Sequence, residues 1–320
     1  METAIYAAPA WLPGGHLQTI YPTLFLRGPM VAYRRERWEL ADGDFLDVDW
    51  LDGAGDAPLL VLFHGLEGSS ASPYARNLMQ AASRRGWHGV AVNFRGCSGE
   101  PNRLPRAYFA GDSAEIGSVL ARLRSRFPKT PLHTVGISLG GNALLKWLGE
   151  AGSAAGQYVS SAAAISAPLD MNAAGTALDQ GFNRRVYTAH FLSTLKAKSL
   201  AKAARFPGLL DEGAIRAATT FREFDTLVTA KLHGFRDAED YWTRASSKPL
   251  LPNIGVPALV LNAKNDPFLP AAALPRPQQV SPSVTLLQPE TGGHVGFPDG
   301  VFPGHIDWLP QRILEFLDQH

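Results

Sequence analysis

The residues best placed to do chemistry begin with Ser138, set in the run Gly136-Ile137-Ser138-Leu139-Gly140. A β-prone stretch ends at this serine, with glycine two places before and two after, and a helical pattern carrying Leu144, Leu145 and Leu148 follows. This is the G-x-S-x-G elbow, in which a sharp strand-to-helix turn holds the hydroxyl exposed and leaves no room for side chains at the flanking glycines. A serine hydroxyl is a weak nucleophile near neutral pH. It needs an imidazole within hydrogen-bond reach and an acid to hold the imidazole's tautomer. Two later stretches supply them in the chain order Ser, Asp, His: Lys264-Asn265-Asp266-Pro267-Phe268 and Thr291-Gly292-Gly293-His294-Val295. The chemistry expected of Ser138, Asp266 and His294 is acyl transfer through a covalent serine intermediate. Asp170, also just past a strand, is the rival acid.

An oxyanion formed at Ser138 needs two preorganised N–H donors. Leu139, at the first turn of the following helix, is the first. The second is expected from His64-Gly65-Leu66-Glu67-Gly68, most directly Leu66. His64 is expected to brace that loop, and Glu67 reads either as part of the site or as a solvated residue. Cys97 is the only cysteine, so no internal disulfide framework is possible; it reads as a small packed residue. The remaining histidines are scattered, and none has metal-ligand spacing with Cys, Asp or Glu, so no metal is expected. No phosphate-binding glycine loop or dinucleotide fingerprint appears, and no organic cofactor is implied.

These groups must be carried by a scaffold that brings strand ends together. Leu59–Phe63 reads as an apolar strand buried on both faces, and Gly89–Phe94, the strand before Ser138, Val159–Ser166, Ala258–Asn262 and Val284–Leu287 read as further strands, several separated by amphipathic helices. Strand, helix, strand in repetition is the pattern of a mostly parallel, doubly wound sheet whose ligands bind at the carboxyl ends of the strands. Upstream, segments around Arg35–Leu40 and Phe45–Leu51 flank Asp42-Gly43 and predict an antiparallel hairpin. Ser72-Pro73 marks a helix start, and Asp112 and Glu115 have capping-box spacing. From 169 to 253 the pattern is helical and too long for a connection, which predicts an inserted cap. The expected organisation is an arm over 1–33, a core over 34–168 and 254–320, and the cap over 169–253. Within the cap Lys198, Lys202 and Arg205 have near-helical spacing and read as its solvated outer face. The arm contains His16-Leu17-Gln18-Thr19, whose relation to substrate this pattern leaves open.

The chain has 320 residues, 45 % of them apolar, enough for a substantial core, and a formal charge of +1 with no long basic run, which argues against a nucleic-acid partner. No apolar run approaches the roughly 18 residues of a membrane span, and no basic-then-apolar leader opens the chain, so a cytoplasmic protein without stable membrane insertion is expected. Oligomeric state is not legible.

His16-Leu17-Gln18-Thr19, Asn93-Phe94-Arg95-Gly96-Cys97-Ser98-Gly99-Glu100, the run Gly136 to Asn142, and Phe224-Asp225 with Tyr241 together resemble the YheT-like hydrolases over nearly the whole chain. That resemblance implies the α/β-hydrolase fold, Ser138, Asp266 and His294 as a triad, and a small-molecule acyl ester as substrate. Relatives of that family include yeast medium-chain fatty-acid ethyl ester synthases/esterases and animal phospholipases with an N-terminal membrane anchor, which is not expected here. The expected activity is that of a serine carboxylesterase on short- to medium-chain esters. The alternatives are transfer of the acyl group to an alcohol, or a silent ligand-binding module.

Overall fold

A computed structural model describes residues 6–26 and 28–320; residues 1–5 and Arg27, assigned above to the arm, lie outside the described residues. Eight strands form one sheet in the order β1-β2-β4-β3-β5-β6-β7-β8. The edge pair is the hairpin: β1 (Arg34–Glu39) runs antiparallel to β2 (Phe45–Leu51), with Gly43 at φ 86° in the connection, as a tight turn requires. Arg35 and Arg37 stand directly opposite Asp49 and Asp47, and each pair closes with a bidentate bond at 2.8–2.9 Å. In β2 the alternation of Phe45, Asp47 and Asp49 with Leu46, Val48 and Trp50 therefore puts buried carboxylates on one face, neutralised by the neighbouring strand.

From β2 inward, β4 (His88–Asn93) is antiparallel to β2, and β3 (Leu59–Phe63), β5 (Leu132–Ile137), β6 (Ser161–Ile165), β7 (Ala258–Leu261) and β8 (Val284–Leu287) run parallel to β4. Apart from His88 at the start of β4, strands β3 to β7 are buried along their whole length, which explains their largely apolar sequences. Two layers of core cover the two faces, one including Val61, Val90 and Leu144, the other Leu62, Met79 and Ile313.

The helices of the wound part are α1 (Gly15–Phe25), α2 (Pro73–Arg84), α3 (Ser113–Arg126) and α4 (Leu139–Ala151). Helix α2 starts at Pro73 and α3 at Ser113, where the sequence signals put them, but the side chains do not make the expected caps. Ser72 turns its hydroxyl to the N–H of Ser69, at 3.1 Å, and the carboxylates of Asp112 and Glu115 pair with Arg106 and Arg95, each at 2.6 Å. Helix α1 lies in a stretch that reads only as a Pro- and Gly-rich arm, and it contains Pro22.

Between β6 and β7 come α5 (Met171–Leu178), then α6 (Gly181–Asn183) running through a π-helical turn at Arg184–Thr188 into α7 (Ala189–Arg205). They are followed by α8 (Glu212–Ala217), α9 (Phe221–Phe224), a second π turn at Asp225–Thr229, α10 (Ala230–His233) and α11 (Ala238–Ala245). This segment has its own small core of Leu192, Ile215, Phe224 and Val228. The chain closes with α12 (Trp308–Leu317), packed on the face opposite α4.

Lys198, Lys202 and Arg205 are not a face left to solvent alone: Lys202 is half-buried, and Lys198 and Arg205, though exposed, also bond to the core. Lys202 Nζ donates to Asn102 Oδ1, Leu104 O and Arg106 O at 2.7–3.1 Å, Arg205 donates to Asn102 O at 3.0 Å, and Lys198 pairs with Glu67 at 2.8 Å. Helical spacing identifies a shared face but carries no information about which way it points. Here carbonyls left free by the irregular loop after β4 supply acceptors that tie the edge of this face to the core.

Candidate active site

Parallel pairing puts the carboxyl ends of β3, β5, β7 and β8 on one edge, from which the Leu66 loop, Ser138, Asp266 and His294 follow in turn. Ser138 follows β5 with φ 51° and ψ −118°, a left-handed conformation uncommon for a residue with a side chain. The glycines make this possible: a Cβ on Gly136 would lie 2.5 Å from Gly140 O, and one on Gly140 would lie 2.5 Å from Phe63 O. Ser138 N donates to Ile165 O on β6 at 2.8 Å, so the neighbouring strand holds the elbow.

The other two groups arrive from loops far along the chain. His294 Nε2 lies 2.9 Å from Ser138 Oγ, and His294 Nδ1 lies 2.9 Å from Asp266 Oδ2. The remaining oxygen of Asp266 accepts from Phe268 N at 2.8 Å, so both carboxylate oxygens are occupied. Phe268 also lays its ring on the imidazole. Asp170 is elsewhere employed: it caps α5 by accepting from Ala173 N at 3.1 Å.

Gly65, Glu67 and Gly68 in the loop after β3 have partners for their N–H groups: Tyr74 Oη, Tyr108 Oη and Gly65 O. Among the described residues Leu66 N–H and Leu139 N–H have no acceptor within the chain, and both residues line the same cavity as Ser138 and His294. Two free donors beside a serine hydroxyl, one at a helix N-terminus, form an arrangement that can hold a developing oxyanion. Glu67 sits at φ 55°, held by Tyr108 Oη donating to its carboxylate at 2.8 Å and by Lys198. It belongs to the site's wall rather than to solvent.

His64 is buried between Gly65 O, at 2.7 Å from Nδ1, and Phe94 N, which donates to Nε2 at 3.0 Å. Burial pushes its pKa down to about 4, which fixes a neutral imidazole bracing the loop. Burial pushes the thiol of Cys97 up to about 11, and its polar neighbour is the Lys198 ammonium at 3.7 Å, so it is a packed, protonated group. Among the described residues, no three His, Cys, Asp or Glu side chains converge as metal ligands.

The cavity has a volume of about 720 Å³. Ser138, His294, Leu66 and Leu139 form its floor, and Leu178, Phe191, Leu195, Phe221 and Val228 from the helices between β6 and β7 line it above. Sequence reasoning missed Phe268 and Tyr108, and it left Gln18, in the run His16-Leu17-Gln18-Thr19, without a role. The proximity of Phe268 to Asp266 in the chain was the only available signal for it, and none existed for Tyr108.

This fold and constellation define a hydrolase class, and comparison with known proteins agrees. The family model described as "alpha/beta hydrolase fold" matches residues 58–301. The chain is 42 % identical to the provisionally named esterase YheT of Escherichia coli (strain K12), over 94 % of this chain and 89 % of that protein. It is 29 % identical to phospholipase ABHD3 of Homo sapiens, over 98 % of this chain and 79 % of that one. Among solved structures, an esterase of Pyrococcus furiosus shares the fold at TM-score 0.59 and 17 % identity, covering 92 % of this chain and 98 % of its own. The chain belongs to the α/β-hydrolase family, in its YheT-like branch. No described helix is long and apolar enough to cross a membrane.

Proposed function

We propose that the protein is a serine carboxylesterase acting on short- to medium-chain acyl esters. The observation that carries this reading is the continuous chain Ser138 Oγ, His294, Asp266, with both links at 2.9 Å and Ser138 open to the cavity. In the first half-reaction His294 Nε2 takes the hydroxyl proton as Ser138 Oγ bonds to the ester carbonyl carbon, and the carbonyl oxygen takes up negative charge facing Leu66 N–H and Leu139 N–H. The tetrahedral species collapses by breaking the bond to the alcohol oxygen, which leaves with the proton carried by His294. Water then repeats the sequence on the acyl-serine: His294 accepts its proton, the acid is released, and Ser138 recovers its hydrogen. Asp266 keeps the Nδ1 proton in place and stabilises the imidazolium without itself being protonated. Each oxyanion donor contributes about 3 kcal/mol in such sites.

The acyl chain is assigned to the apolar side of the cavity, with residues 169–253 serving as cap and 34–168 with 254–320 as core. The esterase name of the Escherichia coli relative supports an ester substrate. The test is covalent: a fluorophosphonate should add one equivalent to Ser138, and p-nitrophenyl esters should be turned over. A wild-type protein inert to both refutes the proposal.

A further inference from the structure

We propose that Gln18 and Thr19 are positioning residues, and that α1 sets the acid and base loops against one another. The inference rests on the reading of Ser138, Asp266 and His294 given above.

Neither residue lines the cavity, and Gln18 is 1 % exposed. Every polar atom of its side chain is occupied. Its Nε2 donates to Leu12 O at 2.9 Å, and its Oε1 accepts from Asn265 Nδ2 and from Gly292 N, each at 2.9 Å. Asn265 immediately precedes the acid Asp266, and Gly292 lies two residues before His294. One oxygen atom thus spans both loops. Thr19 Oγ1 accepts from the backbone N–H of His294 itself at 2.8 Å and donates to Gly15 O at 2.7 Å. Asn265 Oδ1 takes the intervening N–H of Gly293 at 3.0 Å. Three consecutive N–H groups, at 292, 293 and 294, therefore end on side chains of α1 or of the acid loop.

The base loop needs this external frame because its own backbone is strained. Gly292 and Gly293 have φ of 146° and 64°, and Val295 and Phe297 have 62° and 40°. Steric fit points the same way. A Cβ on Gly15 would lie 1.9 Å from Asn265 O, one on Gly293 2.8 Å from Thr19 Oγ1, and one on Gly296 1.8 Å from Gln18 O. Pro22 has no N–H to return to Gln18 O, and Gly296 packs into the space that its ring and this carbonyl leave. Helix α1 also lies outside the stretch matched by the general fold family, residues 58–301.

A buried amide and hydroxyl lost from an ordinary core would lower stability and leave the chemistry alone. Misplacing a base by about 1 Å costs on the order of 100-fold in rate without altering how substrate is held. The experiment compares Thr19→Val, which keeps shape and loses the acceptor, with Thr19→Ser, which keeps the acceptor, and adds Gln18→Met. Each variant is checked for cooperative melting, then measured for kcat, KM and the low-field proton resonance of His294 Nδ1–H. Thr19→Val and Gln18→Met should lower kcat about 10- to 100-fold at nearly unchanged KM and broaden or shift that resonance, while Thr19→Ser stays within a few-fold of wild type. If Gln18→Met does not fold, the Thr19 pair decides alone. A folded Thr19→Val that equals Thr19→Ser in both kcat and the resonance overturns the proposal. Should the wild-type protein hydrolyse no ester, the esterase reading fails, and the resonance alone decides whether α1 positions the imidazole.

Discussion

Phe268 lies flat against His294, ring centroids 4.0 Å apart and planes inclined by 23°, and the same residue's N–H binds the oxygen of Asp266 that His294 leaves free. One residue thus restrains both the tilt of the imidazole and the rotation of the carboxylate. Phe268→Leu keeps an apolar side chain and the backbone bond while removing the flat contact. We expect kcat to fall roughly tenfold with little change in Tm, since orientation is lost and the core is not. Unchanged kcat in a folded variant would show that the stacking has no part in orienting the base.

Ser138→Ala removes the proposed nucleophile at a position whose strain the variant still tolerates as alanine, and it leaves the buried strands untouched. Turnover should drop by several orders of magnitude and fluorophosphonate labelling should vanish, with the melting curve preserved. Substantial turnover by the folded variant would rule out the covalent route.

The two candidate acids separate cleanly. Asp266→Asn should cost about 10⁴-fold in kcat, because an amide favours the wrong tautomer of His294. Asp170→Ala should leave kcat within a few-fold and lower stability by about 1 kcal/mol through loss of the α5 cap. The reverse ranking in kcat would move the acid to Asp170.

An acyl chain lying against Phe191, Leu195 and Phe221 leaves water at about 0.8 kcal/mol per methylene. On p-nitrophenyl esters of graded length, kcat/KM should rise several-fold per added pair of carbons and then level off. Leu195→Trp, which fills part of the cavity, should move that plateau to shorter chains. A flat profile in both proteins would place the acyl chain elsewhere.

Acid should weaken the fold through His64. Burial is the main cause of its low pKa; Gly65 O and Glu67 act to raise it, and Lys198 adds to the depression. The unfolded chain takes up this proton near 6.5 and the folded one near 4, so between those values the unfolded state binds more protons. Stability present above pH 6.5 is therefore lost as pH falls toward 4, by about 3 kcal/mol at roughly 1.4 kcal/mol per pH unit. Melting temperatures from pH 8 to 4 should fall less steeply in His64→Gln than in wild type. Parallel acid limbs would remove His64 as the cause.

What the sequence determined by itself was local and steric. Unbroken apolar runs announced strands buried on both faces, Asp42-Gly43 announced the hairpin, and glycines at 136 and 140 announced the turn at Ser138. Each follows from backbone sterics and burial within a few neighbouring residues, which is why strand, turn and helix ends were legible from pattern. Because parallel strands finish on a common edge, that pattern also pointed to Asp266 and His294, leaving Asp170 as a rival.

Partnership across the chain was decided only by the tertiary structure. Gln18 reaches Gly292, and Thr19 reaches His294, through single hydrogen bonds that no local periodicity encodes. Lys198 and Lys202 share one helical face, yet only the packed loop of Asn102 to Arg106 and the carboxylate of Glu67 give their ammonium groups partners on the core. Asp112 and Glu115 had the spacing of a cap, and Arg106 and Arg95 claimed their carboxylates instead. The physical reason is common to all three cases. A polar side chain commits to whichever partner remains unsatisfied once the backbone has packed, and that partner is known only when distant segments have met.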